Sequence, residues 1–368
     1  MANETDEPIV PEPRLNPYFL GHEAAERAYL GAWNSGRVAH AWLICGLRGI
    51  GKATLAYRMA RYALSQNGTA DMFGGPPPSL AMSAEDPRFR RIASGGHADF
   101  RAIERPWSDF KMTKRKTVIG VDEVRGIGGF MSLTPAEGGW RAVVVDAADE
   151  MNSNAANALL KVLEEPPKQA LLFLVAHNPD RLLPTIRSRC RRLDLRPLTK
   201  DQVQALLNRY RPDLDSAAMK ALAVLADGSI GRALELAEEG GVALFKDLIG
   251  LLKDAPKFSA SRLHALSDQA LKGDVFRTIS GLLSWWLGRI TAAGAKGDLG
   301  ALSEIVPGEG ELARRLLAAA PPAAWAEVWD KVNAQGRRTE AINLDRKRSL
   351  MLMLWMVEQA AAGVPSAA

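Results

Sequence analysis

An apolar pentapeptide, Ala41-Trp42-Leu43-Ile44-Cys45, runs directly into Gly46-Leu47-Arg48-Gly49-Ile50-Gly51-Lys52, and no other stretch of the chain restricts its fold as tightly. Five apolar residues ending in glycine have the profile of a buried parallel strand. After the loop, Leu55, Met59, Tyr62 and Ala63 recur at helical spacing, so the unit reads strand, loop, helix. The loop fills the first seven positions of the pattern G-x-x-x-x-G-K-[ST]. In such a loop Gly46, Gly49 and Gly51 let backbone N–H groups turn around phosphates, and Lys52 reaches the β/γ-phosphates. The eighth position should bring a hydroxyl to Mg²⁺. Here it is Ala53, which has no oxygen, and a threonine arrives one residue late at Thr54.

Two further buried-strand signals follow, Arg141-Ala142-Val143-Val144-Val145-Asp146 and Ala170-Leu171-Leu172-Phe173-Leu174-Val175-Ala176. Between them residues 154–163 read as a helix stopped by Pro166-Pro167. Strands alternating with helices predict an α/β unit, a parallel sheet with helices on both faces. Residues 71–98 break the pattern with Gly74-Gly75-Pro76-Pro77-Pro78 and form a loop or insertion. Past Leu195 the strand signals stop. Thr199 or Asp201 can cap a first helix, and Gly228, Gly240 and Gly241 punctuate a small helical unit. Longer amphipathic stretches come next, with Val275, Phe276, Ile279, Leu282, Leu283, Trp286, Leu287 and Ile290 on one face. Trp325, Val328, Trp329 and Val332 lie on another.

A length of 368 residues suggests two or three domains. Net charge is +5, which is compatible with a nucleic-acid partner and does not by itself argue for one. Two cysteines, Cys45 and Cys190, rule out a disulfide framework and a four-cysteine zinc site and point to a reducing compartment. No apolar run approaches the ~20 residues a membrane span needs. Residues 1–13 are acidic and proline-bearing, unlike a signal peptide. The expected location is cytoplasmic, with no membrane partner.

A strand-end carboxylate downstream of a phosphate loop orients hydrated Mg²⁺ in many nucleotide sites, and Asp146 occupies that place. The next residue, where a water-activating glutamate commonly stands, is Ala147. Asp149 and Glu150 come too late in register. The chain further carries Leu159-Leu160-Lys161-Val162-Leu163-Glu164-Glu165-Pro166-Pro167 and, about two dozen residues on, Ser188-Arg189-Cys190. With these segments it resembles the bacterial replicative clamp-loader ATPases. Arg37-Val38-Ala39-His40-Ala41-Trp42-Leu43 and His97-Ala98-Asp99 look like the delta-prime branch of that DNA polymerase III family. The resemblance covers roughly residues 20–240.

The resemblance implies an AAA+ P-loop module in a pentamer, with gamma/tau-like ATPases and a delta-like subunit as neighbours. A sliding clamp and primed DNA would be met through the complex. The chain is expected to divide into a tail (1–18), a nucleotide-binding domain (19–195), a helical lid (196–245), an all-α region that fits the family's collar in kind only (246–362) and a second tail (363–368). In this family the arginine of S-R-C reaches a neighbour's ATP, a role that falls to Arg189. A guanidinium offers planar, permanently charged donors to a reacting phosphoryl group. Arg187, Arg191 and Arg192 are expected to form an ordinary basic edge.

Departures from the family weigh as much as matches. Catalytic members carry Ser/Thr at the position of Ala53 and Asp-Glu where this chain has Asp146-Ala147. They also place a γ-phosphate-sensing arginine directly after the lid's G-S-apolar triplet. Here Gly228-Ser229-Ile230-Gly231-Arg232 puts Arg232 one position late, a rotation of about 100° on a helix. The expectation is a stator-like subunit with little or no hydrolysis of its own, binding ATP/Mg doubtfully and no zinc. The rival expectation is an autonomous ATPase motor in which Thr54 or a water replaces the missing hydroxyl. A plain DNA-binding module is disfavoured by the modest charge. Lys111-Met112-Thr113-Lys114-Arg115-Lys116 reads as a solvated loop before a phosphate-contacting one. Trp285, Trp286, Trp325 and Trp329 read as core or interface before base-stacking platforms.

Overall fold

The computed structural model describes residues 11–66, 79–108, 115–300 and 302–363. The first ten residues, positions 71–78 of the 71–98 stretch, positions 111–114 of the basic run and residues 364–368 lie outside that description; the described part of that stretch contains a helix, Pro87–Ala93, not only loop. The chain forms two compact units, Met1–Arg211 with Gly228–Gly231, and Pro212–Asp227 with Arg232–Ala368. The expected lid, 196–245, is thus divided between them.

The first unit contains α1 (Glu23–Asn34), β1 (Ala41–Cys45), α2 (Lys52–Ser65), α3 (Pro87–Ala93), β2 (Phe100–Ile103) and α4 (Val121–Ser132). It continues with β3 (Arg141–Val145), α5 (Ser153–Glu164), β4 (Ala170–Ala176), α6 (Pro184–Arg187), β5 (Arg191–Asp194) and α7 (Lys200–Tyr210). The five strands form one parallel sheet in the order β2-β3-β4-β1-β5. This is the α/β architecture with helices on both faces that the alternation of elements predicts.

The period-two geometry of a strand divides the core into two layers. Trp42, Ile44, Val144, Phe173 and Val175 face α1 and α2, joined by Tyr29, Leu55, Met59 and Tyr62. Leu43, Cys45, Val143, Val145, Leu172 and Leu174 point the other way, toward Val124, Ile127, Leu159 and Leu163 of α4 and α5. With every residue of β1, β3 and β4 buried, these strands read as unbroken apolar runs. The two edge strands do not. In β2 only the first and last residues are buried, and in β5 only Leu193 is. Neither strand stands out in the sequence, because an edge strand is held by its ladder to a neighbour more than by its own apolar content.

Helix α2 is buried on nearly every side, not along one stripe. The N-terminal segment covers its polar positions. Arg58 pairs with Glu26 at 2.8 Å and donates to the Pro17 carbonyl, and Arg61 donates to the carbonyls of Arg14 and Asn16. Buried guanidinium groups thus have their acceptors, without which burial would be costly. Helix α7 starts at Thr199, where a reciprocal capping box with Gln202 satisfies two terminal N–H groups.

Helix α8 (Ser216–Leu225) opens the second unit, and α9 (Ile230–Glu238) begins in the first unit and ends in the second. The helices α10 (Gly241–Leu252), α11 (Ala260–Gln269), α12 (Val275–Lys296), α13 (Glu309–Ala319), α14 (Pro322–Ala341) and α15 (Arg346–Ala361) complete it. Its core is built mainly from α12, α14 and α15, with Trp286, Trp325, Leu350 and Leu354 buried. Trp325 donates its indole N–H to the Leu316 carbonyl at 3.0 Å. Trp285 stacks edge-on with Phe245, and Trp329 is 39% exposed.

Candidate functional site

The phosphate loop joins the C-terminal end of β1 to the first turn of α2, the position such loops need. Its backbone is held by donors from every side. Lys52 folds back so that Nζ donates to the carbonyls of Gly46 at 2.8 Å and Leu47 at 2.5 Å. The Ser229 hydroxyl donates to the Arg48 carbonyl at 2.8 Å, and the Gly231 N–H to the Gly49 carbonyl at 2.9 Å. His22 Nε2 lies 2.7 Å from the Ile50 carbonyl, a contact that requires the proton on Nε2. The Gly51 carbonyl accepts from Leu55. Six consecutive carbonyls, whose oxygens would repel a phosphate, are therefore each occupied by a donor.

Glycine is required at position 49. Its φ is +75°, and a β-carbon there would lie 2.5 Å from Ser229 Oγ and 3.0 Å from Gly231 Cα. The loop and the Gly228–Gly231 strip touch backbone to backbone.

Burial lowers the Lys52 ammonium to about 8, against the opposing pull of the Asp146 and Asp149 carboxylates. Asp146 stands just past the end of β3, where its N–H donates to Ile103. Burial first and the nearby Glu104 second raise its carboxyl to about 6, against the opposing pull of Lys52. Glu104 accepts from the Tyr57 hydroxyl at 3.0 Å and pairs with Arg115 at 2.8 Å. Ala147 follows in the left-handed region, at φ 62° and ψ 55°. That turn swings Asp149 inward. Its two oxygens accept from the backbone N–H groups of His177 at 3.0 Å and Asn178 at 2.8 Å. Asp149 therefore ties the loop after β3 to the end of β4. Glu150 is engaged with Arg105 at 2.8 Å. His177, beside this tie, is lowered to about 4 by burial first and by the positive charge of Lys52 second.

The donor set fits a phosphate and one side of a hydrated Mg²⁺. Lys52 is present, and Asp146 stands where it could orient the metal's waters. Ala53 supplies no ligand, while Thr54 is buried and lies about 100° farther round α2. Among the described residues no three His, Cys, Asp or Glu side chains are grouped to hold a metal ion. Burial raises both thiols, Cys45 to about 11 and Cys190 to about 12, so neither is a thiolate at neutral pH. Arg232 belongs to the second unit, where burial lowers its guanidinium against the opposing pull of Asp227 and Glu235.

Arg189 lies apart from this loop in sequence, directly after α6. Its side chain is 37% exposed; Nη1 donates to the Thr185 carbonyl at 3.0 Å and Nη2 lies 3.2 Å from Glu164 Oε1. Its three basic neighbours have local partners. Arg187 pairs with Asp180 and Arg192 with Asp194, both at 2.7 Å, and Arg191 lies over the Trp42 ring. His22 and His177 carry no motif of their own; Asp149, Ser229 and Glu164 lie within or beside segments read from the sequence but are not singled out there as site residues.

Residues 21–199 match the family model described as DNA polymerase III, delta subunit. That segment holds every candidate residue except Arg232. The DNA polymerase III subunit delta' of Pseudomonas aeruginosa is 37% identical over 192 residues, 52% of this chain and 53% of that protein. The delta' subunit of Escherichia coli is 34% identical over 205 residues, 56% of each. The DNA polymerase III subunit tau of Escherichia coli is 28% identical over 224 residues, 60% of this chain and 32% of that protein. The chain spans about half the length of the delta' relatives it matches.

Proposed function

We propose that this chain, whose residues 21–199 match the family model described as DNA polymerase III, delta subunit, is a delta-prime-like member of the DNA polymerase III clamp-loader family. It acts as a stator, a subunit with little or no ATP turnover of its own that offers Arg189 to the ATP of a neighbouring subunit. The neighbours are gamma/tau-like ATPases and a delta-like subunit in a pentamer. The assembly opens a sliding clamp and sets it on primed DNA in the cytoplasm.

One contrast carries this reading. The nucleotide loop keeps Lys52 yet has Ala53 and Ala147 at the two positions that would serve metal and water. Arg189, in turn, is a surface arginine held through Nη1 by the Thr185 carbonyl and through Nη2 by Glu164. ATP bound at the loop would find donors for its phosphates in the glycine backbone and Lys52, and Asp146 to orient the waters of its Mg²⁺. Hydrolysis there would lack a positioned base, because Asp149 is consumed by the N–H groups of His177 and Asn178. Arg189 supplies what a neighbour's site needs. A planar cation that costs no reorganisation stabilises charge spread over the equatorial oxygens of a phosphoryl group in transfer. The rival motor reading needs Thr54 or a water in place of the missing hydroxyl, and the burial of Thr54 in α2 opposes the first of these.

A steady-state ATPase assay on the isolated chain tests the first half. Turnover above about 1 s⁻¹, the lower end for ordinary enzymes, that is lost in Lys52→Ala would overturn the stator role. Reconstitution with gamma/tau-like and delta-like subunits tests the second. Arg189→Ala is expected to lower the DNA-stimulated ATPase of the complex while the complex still assembles.

A further inference from the structure

We infer that Glu164 is a positioning residue for Arg189, holding the guanidinium in the attitude in which it meets a neighbour's phosphoryl group. The inference rests on the reading of Arg189 as the in-trans donor. The contact is tertiary, since the two residues are separated by the whole of β4.

The two anchors of the guanidinium come from different elements, each fixed on its own. Helix α5 begins at Asn152, whose side chain accepts from the Ala155 N–H at 2.9 Å. It ends at Glu164, because Glu165 precedes proline and has left helical geometry. The position of Glu164 at the last turn is therefore set at both ends of the helix. The other anchor, the Thr185 carbonyl, belongs to α6, which opens on Pro184. The two helices share one core, with Leu159 and Leu163 packed in the same cluster as Leu182 and Ile186. The acceptors are thus carried on elements whose relative placement is fixed by packing.

Each anchor takes one terminal nitrogen of Arg189, Nη1 to Thr185 and Nη2 to Glu164. A guanidinium has five N–H donors in a rigid plane, and two named contacts orient that plane while leaving three donors for an incoming anion. A long side chain free in solvent would have to be ordered at each encounter with the phosphoryl group; one already gripped does not. The ion pair is too exposed, at 37% and 50%, to matter much for folding, so its effect belongs to rate.

The test is Glu164→Gln in the reconstituted loader, alone and combined with Arg189→Ala. The expected result is a fall in kcat of roughly fivefold to twentyfold, within the loss a misplaced catalytic contact causes. The KM for ATP, assembly on size exclusion and the thermal unfolding midpoint should stay unchanged. In the Arg189→Ala background Glu164→Gln should cost nothing further, since the two act as one unit. A wild-type kcat in Glu164→Gln, or an additive loss in the double variant, would overturn the positioning role while leaving Arg189 in place. A wild-type kcat in Arg189→Ala alone would instead remove the reading on which the inference rests.

Discussion

The Lys52 ammonium lies 2.8 Å from the Gly46 carbonyl oxygen, so the seventh residue of the phosphate loop is hydrogen-bonded to the first. Only 3% of Lys52 is exposed. A buried ammonium needs acceptors, and the loop's own carbonyls supply them. The contact closes the loop on itself and keeps the charge at the place where a phosphate would meet it.

This burial has a pH signature. Lys52 has a folded value of about 8 against an ordinary 10.5. Between those values the unfolded chain holds the proton and the folded chain does not, so the contribution of Lys52 to stability rises with pH. Below pH 8 the charged form is penalised in the fold. Denaturant midpoints of the wild-type protein should therefore climb relative to Lys52→Met from about pH 8 to pH 10.5. Parallel curves over that window would contradict the assignment.

Asp149 is a structural carboxylate, and its removal should register as instability. Asp149→Ala leaves the N–H groups of His177 and Asn178 without their acceptors, at an expected cost of about 1–3 kcal/mol in urea unfolding near neutral pH. A variant as stable as the wild type would show that these N–H groups have another partner.

Two glycines in different surroundings predict opposite signs for glycine-to-alanine changes. Gly49→Ala puts a side chain at φ +75° and against Gly231, and should cost about 1–3 kcal/mol. Gly250→Ala, inside α10 with nothing within 4 Å of the new methyl, should gain about 0.5–1 kcal/mol. Equilibrium unfolding of the two variants in one denaturant series decides it.

Restoring one letter of the loop should not restore a motor. Ala53→Thr returns a hydroxyl to the metal position, yet Ala147 still leaves the site without a base. The isolated variant is expected to stay below about 1 s⁻¹ in ATP turnover. Faster turnover would make the missing hydroxyl the sole lesion.

Arg189→Lys should behave like Arg189→Ala in the reconstituted complex. An ammonium cannot engage Thr185 and Glu164 through two nitrogens and still present a planar fork outward. Full activity in the lysine variant would mean that positive charge alone suffices.

How much of this was legible beforehand differs by element. Central strands β1, β3 and β4 were readable because burial on both faces demands unbroken apolar runs. Edge strands β2 and β5 were not, because Arg101, Arg191, Arg192 and Asp194 face outward and hide the strand within a charged stretch. For the site, Gly46, Gly49, Gly51, Lys52 and Asp146 could be named from the chain, since a phosphate loop and a strand-end carboxylate are local patterns. The absence of an oxygen at Ala53 and of a carboxylate at Ala147 was equally visible.

The sequence by itself determined the α/β class, the seat of the nucleotide loop and the two gaps in its chemistry. All of these depend on residues within a few positions of one another. Tertiary structure alone decided that Asp149 accepts from the backbone of His177 and Asn178, that His22, Ser229 and Gly231 secure the loop's carbonyls, and that Glu164 grips Arg189. Each of those is a contact between groups far apart along the chain. Such contacts arise only when parallel strands, with their long crossovers, bring distant strand and helix ends to a common edge.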